Sequence, residues 1–219
     1  HEDNSCLSRR FGDYVAFQMK RLLPQFFQPI AKDGTAGKPP AKIKVGYISS
    51  RFLANAVTFY MANRILRHDR NTFEIHVFSL GTRQDDMTKG LVNNCDRFVV
   101  LDNPLDYKLN AEVIRDSKLD ILIYADIGME IYSYLMAGMR LAPVQAALLG
   151  HASPTGLPTI DYFFSSEAEP DNAQKAYREK LIKLPGPGAD QLYPPGLQGG
   201  AHQQLTRSRL GIPAEAFVF

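Results

Sequence analysis

The chain has 219 residues, 45% hydrophobic and 22% charged, material for one large globular core or one and a half smaller ones. A formal net charge of +2 makes no electrostatic case for nucleic acid or a membrane surface, no apolar run is long enough to cross a bilayer, and no signal peptide is visible. Cys6 and Cys95 stand far apart without a CxxC spacing, so they read as two reduced thiols of a cytoplasmic protein rather than as a metal pair.

Residues 8–27 carry Phe11, Tyr14, Val15, Phe17, Met19, Leu22 and Leu23 at mixed helical spacing, predicting one amphipathic helix that ends near Pro24. Residues 1–30 are thus a linker helix ahead of the main domain, and the Gly-, Pro- and Lys-rich stretch 31–42 is a linker. From residue 43 a regular alternation begins. Strands are predicted at 43–49, 73–80, 97–101, 120–126, 144–150, 161–166 and 179–185. Helices are predicted at 57–67, 85–93, 106–117 and 130–140. Continuous apolar strands alternating with helices indicate a parallel sheet covered on both faces, joined by right-handed crossovers. The fold class is therefore α/β, a doubly wound Rossmann-like domain over 43–186. Residues 187–219 turn Pro- and Gly-rich and then strand-like at AFVF, which reads as an inter-domain loop and the start of a second domain. The chain opens on His1 rather than Met, and an excerpt of a longer protein is expected.

In open parallel sheets ligands bind beyond the carboxyl ends of the strands, at the switch point. Ser49, Ser50, Arg51 and Asn55 follow the first strand, Asp126 and Gly128 the fourth, and Gly150, His151, Ser153, Thr155 and Gly156 the fifth. No G-x-G-x-x-G and no Walker A motif occurs, which argues against the common dinucleotide and P-loop readings. His151, on a glycine hinge at a strand end, can present a ring nitrogen to a substrate hydroxyl or phosphate. It can equally be bonded to backbone and merely shape the loop. Asp126 can orient a base or accept a sugar hydroxyl, or it can cap the next helix. Ser49 and Ser50 can donate to a phosphate or simply serve a tight turn. Gly150 and Gly156 suit backbone geometry or close ligand approach. Asp85 and Asp86 read as a helix start rather than a metal site. No metal site is assigned. His76 reads as structural, and His68 and His202 are weaker candidates than His151.

The stretch Arg140–Gly186 resembles the catalytic region of O-GlcNAc transferases and their bacterial and SPINDLY-type relatives. There the pattern is roughly R-x-A-P-x-Q, then L-G-[YH]-P-x-[TS]-[TS]-G, a D-Y strand, and Y-x-E-K-L-x-x-L-P. This chain matches it with Arg140, Ala142, Pro143, Gln145, Leu149, Gly150, His151, Thr155, Gly156, Asp161, Tyr162, Tyr177, Glu179, Lys180, Leu181, Leu184 and Pro185. KIKVGYISSRF resembles the family's first strand and LDILIYADIG its fourth. Relatives that transfer glucose to Asn also carry Gly-His at the fifth-strand end, which favours a functional His151.

The resemblance implies an inverting protein glycosyltransferase of two Rossmann-like halves, a GT-B architecture without a required metal or other cofactor. It implies a UDP-sugar donor and a protein or peptide acceptor modified on Ser, Thr or Asn. This chain then resembles the first, acceptor-side half. The expected partners are the second half and an N-terminal helical-repeat domain. Catalytic roles would fall to His151, Asp126 and Asn55, and substrate contacts to Ser49, Ser50, Gly150, Ser153, Thr155 and Gly156. Two departures stand out. The family's D-F-x-x-H-P after the first strand is RFLANA here, so Arg51, Asn55 and Ala56 replace the acid, the histidine and the proline. Asn55 cannot act as a general base, although it can donate to a phosphate oxygen. Ala152 replaces a proline. The alternative reading is a binding or scaffolding relative that kept the fold and lost the chemistry.

Overall fold

The computed structural model describes residues 5–30, 42–150, 153–188, 207–208, 211–213 and 215–216. Among these lie seven strands: β1 Ile43–Ser49, β2 Phe73–Leu80, β3 Arg97–Leu101, β4 Ile121–Tyr124, β5 Val144–Leu148, β6 Tyr162–Ser166 and β7 Lys180–Leu184. Five α-helices accompany them: α1 Ser5–Leu22, α2 Ala56–Leu66, α3 Asp86–Asn94, α4 Tyr107–Asp116 and α5 Ile131–Ala137. The strands form one sheet in the order β3-β2-β1-β4-β5-β6-β7, with every pairing parallel. The chain winds outward from β1 to one edge, returns to β4 and winds to the other edge. The switch point is therefore between β1 and β4.

Local sequence explains the helix starts. Asn55, Asp85, Asp106 and Glu130 each accept a backbone N–H of the first helical turn from their side chains, which satisfies donors a helix end leaves open. Asp85 and Thr88 form a reciprocal capping box, so the acidic pair at 85–86 opens α3 as expected. The central strands are buried on both faces, as continuous apolar runs demand. On one face, Ile48, Phe78, Leu122, Tyr124, Ala147 and Phe163 pack beneath α4, α5 and α1. On the other, Val45, Tyr47, Val77, Ile123, Ala146 and Leu148 pack with α2 and α3 residues such as Met61, Ile65 and Leu91.

Two features depart from a regular doubly wound pattern. No α-helix occurs among the described residues between β5 and β6, nor between β6 and β7, where the only helical piece is the 3-10 turn Ala173–Ala176. In compensation, α1 comes from the N-terminal side and lays Val15 and Met19 into the core shared with Leu157, Ile160 and Phe163. The N-terminal helix, expected to end near Pro24, stops at Leu22, and Pro24–Phe27 forms a 3-10 turn because proline cannot continue the α-helical ladder.

Candidate active site

The carboxyl ends of β1, β4 and β5 converge on Asp126, two residues past β4. Its side chain turns toward β1. One carboxylate oxygen, Oδ2, accepts from Ser49 Oγ at 2.9 Å and from the backbone N–H and Oγ of Ser50, each at 3.3 Å. The other oxygen, Oδ1, is buried and has no hydrogen-bond partner among the described residues. Asp126 and Ser49 are fully buried, while Ser50 is half-buried and forms the outer surface of the cluster. Burial raises the Asp126 carboxyl from 3.8 to about 6. The Ser49 hydrogen bond opposes that rise, the Glu130 charge adds to it, and the Ser50 bonds again oppose it. The N-cap of α5 is Glu130, so Asp126 is not used as a helix cap.

Gly150 closes the third side. A Cβ there would collide with the carbonyl of Ala125 and touch the Asp126 backbone at 3.1 Å. Only glycine lets the end of β5 pass this close to the end of β4. His151, the histidine candidate beside it, lies outside the described residues, as do Ala152 and His202. Ser153 is exposed. Thr155 and Gly156 are buried and turned inward: the carboxylate of Glu179 accepts from Thr155 N at 2.9 Å, from Gly156 N at 3.2 Å and from Thr155 Oγ1.

Asn55 sits apart from the Asp126 cluster in its bonding. Its Oδ1 caps α2 at Thr58 N, and its Nδ2 donates to the carbonyl of Arg51 at 2.9 Å. Arg51 is exposed, and no side-chain partner holds its guanidinium among the described residues. Its backbone N–H donates to Ser49 Oγ at 2.7 Å, so residue 51 adjoins the cluster through its main chain. Two histidines elsewhere are engaged through Nε2: that of His76 meets Glu74 at 2.7 Å inside β2, and that of His68 meets Tyr47 at 2.7 Å. A cavity of ≈ 340 Å³ on the α2 face of the sheet is bordered by Tyr47, Arg64, His68, Leu148, Phe164 and Leu184, and Asp126, Ser49 and Ser50 do not line it. Among the described residues no three His, Cys, Asp or Glu side chains gather to hold a metal ion.

The remaining motif residues hold the opposite edge of the sheet. Arg140 forms a two-pronged ion pair with Asp161 at 2.6 and 3.1 Å. Buried Gln145 uses all its amide capacity on backbone: its Oε1 accepts from Leu141 and Ala142, and its Nε2 donates to Met139 and Thr159. These side chains fix how β5 and β6 enter the sheet and do not face the cluster. Reading the residues alone left two contributors unassigned. Arg51 registers in sequence as a residue after the first strand and as a departure from a pattern, neither of which gives it a role. Glu179 acts on Thr155 at a sequence separation of 24 residues, a contact with no local signal.

The family model for glycosyl transferase family 41 matches residues 23–187. The chain belongs to glycosyl transferase family 41. It is 29% identical over 156 residues to the probable UDP-N-acetylglucosamine–peptide N-acetylglucosaminyltransferase SPINDLY of Arabidopsis thaliana, covering 67% of this chain and 16% of that protein. To the probable enzyme of the same description named SEC, from the same plant, it is 23% identical over 218 residues, which cover 97% of this chain and 22% of that protein. The chain thus spans about 16–22% of the length of these two relatives. The structure of a Thermobaculum terrenum O-GlcNAc transferase mutant shares the fold, with a TM-score of 0.68 and 24% identity over 83% of this chain and 35% of that one.

Proposed function

We propose that this chain is the acceptor-side Rossmann-like half of a family 41 protein glycosyltransferase. It would serve the transfer of a sugar from a UDP-sugar to a Ser, Thr or Asn side chain of a protein. The observation that carries the reading is a buried carboxylate at the β1–β4 switch point, within a chain whose family match runs through that point. A carboxylate without full compensation at a ligand-binding edge has a functional rationale that a purely structural one lacks.

In an inverting transfer the acceptor atom, a Ser or Thr hydroxyl oxygen or the Asn amide nitrogen, attacks the anomeric carbon as the bond from that carbon to the UDP oxygen breaks. The UDP leaves with the electron pair, and the acceptor gives up its proton. Asp126 is buried beneath Ser50, so its part is indirect. It holds the two serine hydroxyls and supplies a negative charge at the cleft floor. That charge would raise the basicity of a neutral His151, the group we assign to take the acceptor's proton, and stabilise the imidazolium formed as the proton arrives. Ser50, Ser153 and exposed Arg51 provide donors at the rim for sugar hydroxyls or the diphosphate. Asn55, held at both ends of its amide, keeps the start of α2 in place.

The missing partners follow from the same reading. A second Rossmann-like half would supply most of the nucleotide contacts. A helical-repeat domain would cover the outer face of α1, where Leu7, Phe11, Tyr14 and Phe17 are 48–65% exposed. A cytoplasmic location suits the free thiols Cys6 and Cys95. The scaffold reading draws on Asn55, whose occupied amide stands where the resemblance expects a histidine. UDP release by the full-length protein, offered a panel of UDP-sugars and a mixed peptide acceptor, separates the two. Acceptor-dependent release from one sugar establishes the transferase. No release from folded protein, with no UDP binding, establishes the scaffold.

A further inference from the structure

The span from Gly150 to Thr155 is fixed at both ends by different means. At Gly150 the fixing is backbone contact with the Asp126 turn. At Thr155 and Gly156 it is a grip from two sides. Beneath them lies Glu179, 1% exposed, with three donors of residues 155–156 on Oε1 and an Oε2 without a partner among the described residues. Above them lies α1. A Cβ on Gly12 would fall onto the carbonyl oxygen of Gly156, and a Cβ on Gly156 would fall onto the carbonyl oxygen of Ser8. Gly156 has φ +69°, so backbone shape and backbone contact both call for glycine there. Polar contacts tie the same parts together. Arg178 donates to Asp13 Oδ1 at 2.5 Å and to the Gly156 carbonyl at 3.2 Å. Arg9 donates to the Tyr177 carbonyl at 2.9 Å, and Tyr134 OH donates to the Thr155 carbonyl at 2.7 Å.

We infer that Gly12 of α1 and Glu179 are positioning residues for the cleft, together setting where the chain that leaves β5 beside Asp126 must arrive. A helix that precedes the sheet in sequence is thereby part of the site's support. Buried groups with no freedom to relax transmit small displacements, and misplacement by about 1 Å can cost a transferase on the order of 100-fold in rate. The functional consequence rests on the transferase reading; the structural coupling does not.

The test uses the full-length protein carrying Gly12→Ala, Glu179→Gln or Glu179→Ala, with Gly90→Ala as control. A Cβ on Gly90 meets nothing within 4 Å. Sugar transfer and backbone amide exchange are measured on each. Gly12→Ala is expected to lower kcat/KM by roughly 10- to 100-fold. It should speed exchange at Leu157 and its neighbours about tenfold while β1 and β2 keep their protection. Glu179→Gln, which keeps an acceptor oxygen, should lose less than Glu179→Ala, and Gly90→Ala should match the parent. Unchanged exchange at 155–157 in both Gly12→Ala and Glu179→Gln overturns the inference. So does faster exchange spread evenly over the sheet, which would mark general destabilisation. If the parent transfers no sugar, the transferase reading fails, and the exchange pattern alone decides the coupling.

Discussion

Asp126→Asn separates the cost of the buried carboxylate from its use. Asp126 is fully buried, so no solvent screening softens the penalty of charging it. A carboxyl raised from 3.8 to about 6 represents roughly 3 kcal/mol at 1.36 kcal/mol per tenfold change in proton affinity. Below pH 4 the carboxyl is protonated in both folded and unfolded chains, and the penalty is absent. Between about pH 4 and pH 6 the folded state keeps a proton that the unfolded state has released, so stability falls as pH rises through that window. Above pH 6 the full penalty remains. Asparagine keeps an acceptor for Ser49 Oγ and Ser50 N but puts an amide N–H₂ where Oδ1 has no partner, at a cost of about 1–2 kcal/mol. The variant should therefore be about 1–2 kcal/mol more stable than the parent at pH 8 and less stable than it at pH 4. Urea unfolding of both proteins from pH 4 to pH 8 measures this directly. Parallel stability curves would refute the argument, because they would mean that Asp126 titrates alike in folded and unfolded chains. The second half of the test is activity: sugar transfer by the full-length variant should fall by about 100-fold or more. A stabilised and fully active variant would show that the carboxylate serves neither stability nor chemistry.

Three further outcomes follow from other contacts. Gln145→Leu removes the partners of two buried N–H and two C=O groups and should destabilise the chain by at least about 3 kcal/mol in equilibrium unfolding; a loss under 1 kcal/mol would show that the backbone there finds other partners. Arg51→Glu reverses an exposed charge next to the Ser49–Ser50 cluster, one with no side-chain partner among the described residues. It should raise the KM for a UDP-sugar about tenfold or more in steady-state kinetics with little change in unfolding midpoint, and an unchanged KM would remove Arg51 from donor binding. Gly150→Ala forces β5 away from the Ala125 carbonyl and should cost about 1–3 kcal/mol, read as a lowered Tm; a Tm equal to the parent's would show that the two strand ends move apart freely.

Sheet and helix positions were legible because the signals are local. Continuous apolar runs such as Ile121–Tyr124 demand burial on both faces, and Asp85 announces α3 by its own capping chemistry. The strand order was not legible in detail, since pairing is decided by which faces meet and not by any one segment. Nor was the inward packing of α1, whose Gly12 and Ser8 matter only because Gly156 comes to meet them. The candidate site divides in the same way. Its place at the carboxyl edge follows from the alternating pattern and the rule for parallel sheets, and so do Asp126, Ser49 and Ser50. What no pattern separates is function from support within one motif. Arg140, Gln145 and Asp161 stand in the same run as Gly150, and the resemblance treats them alike. The geometry splits them: the first three are consumed in hydrogen bonds at the opposite edge of the sheet, while Gly150 touches the Asp126 turn. A motif of this kind records everything that must hold for the cleft to exist, and most of it is scaffold. At the carboxyl edge, the residues to test first for chemistry are therefore two with polar atoms that no described residue claims: Asp126 through its Oδ1, and Arg51 through its guanidinium.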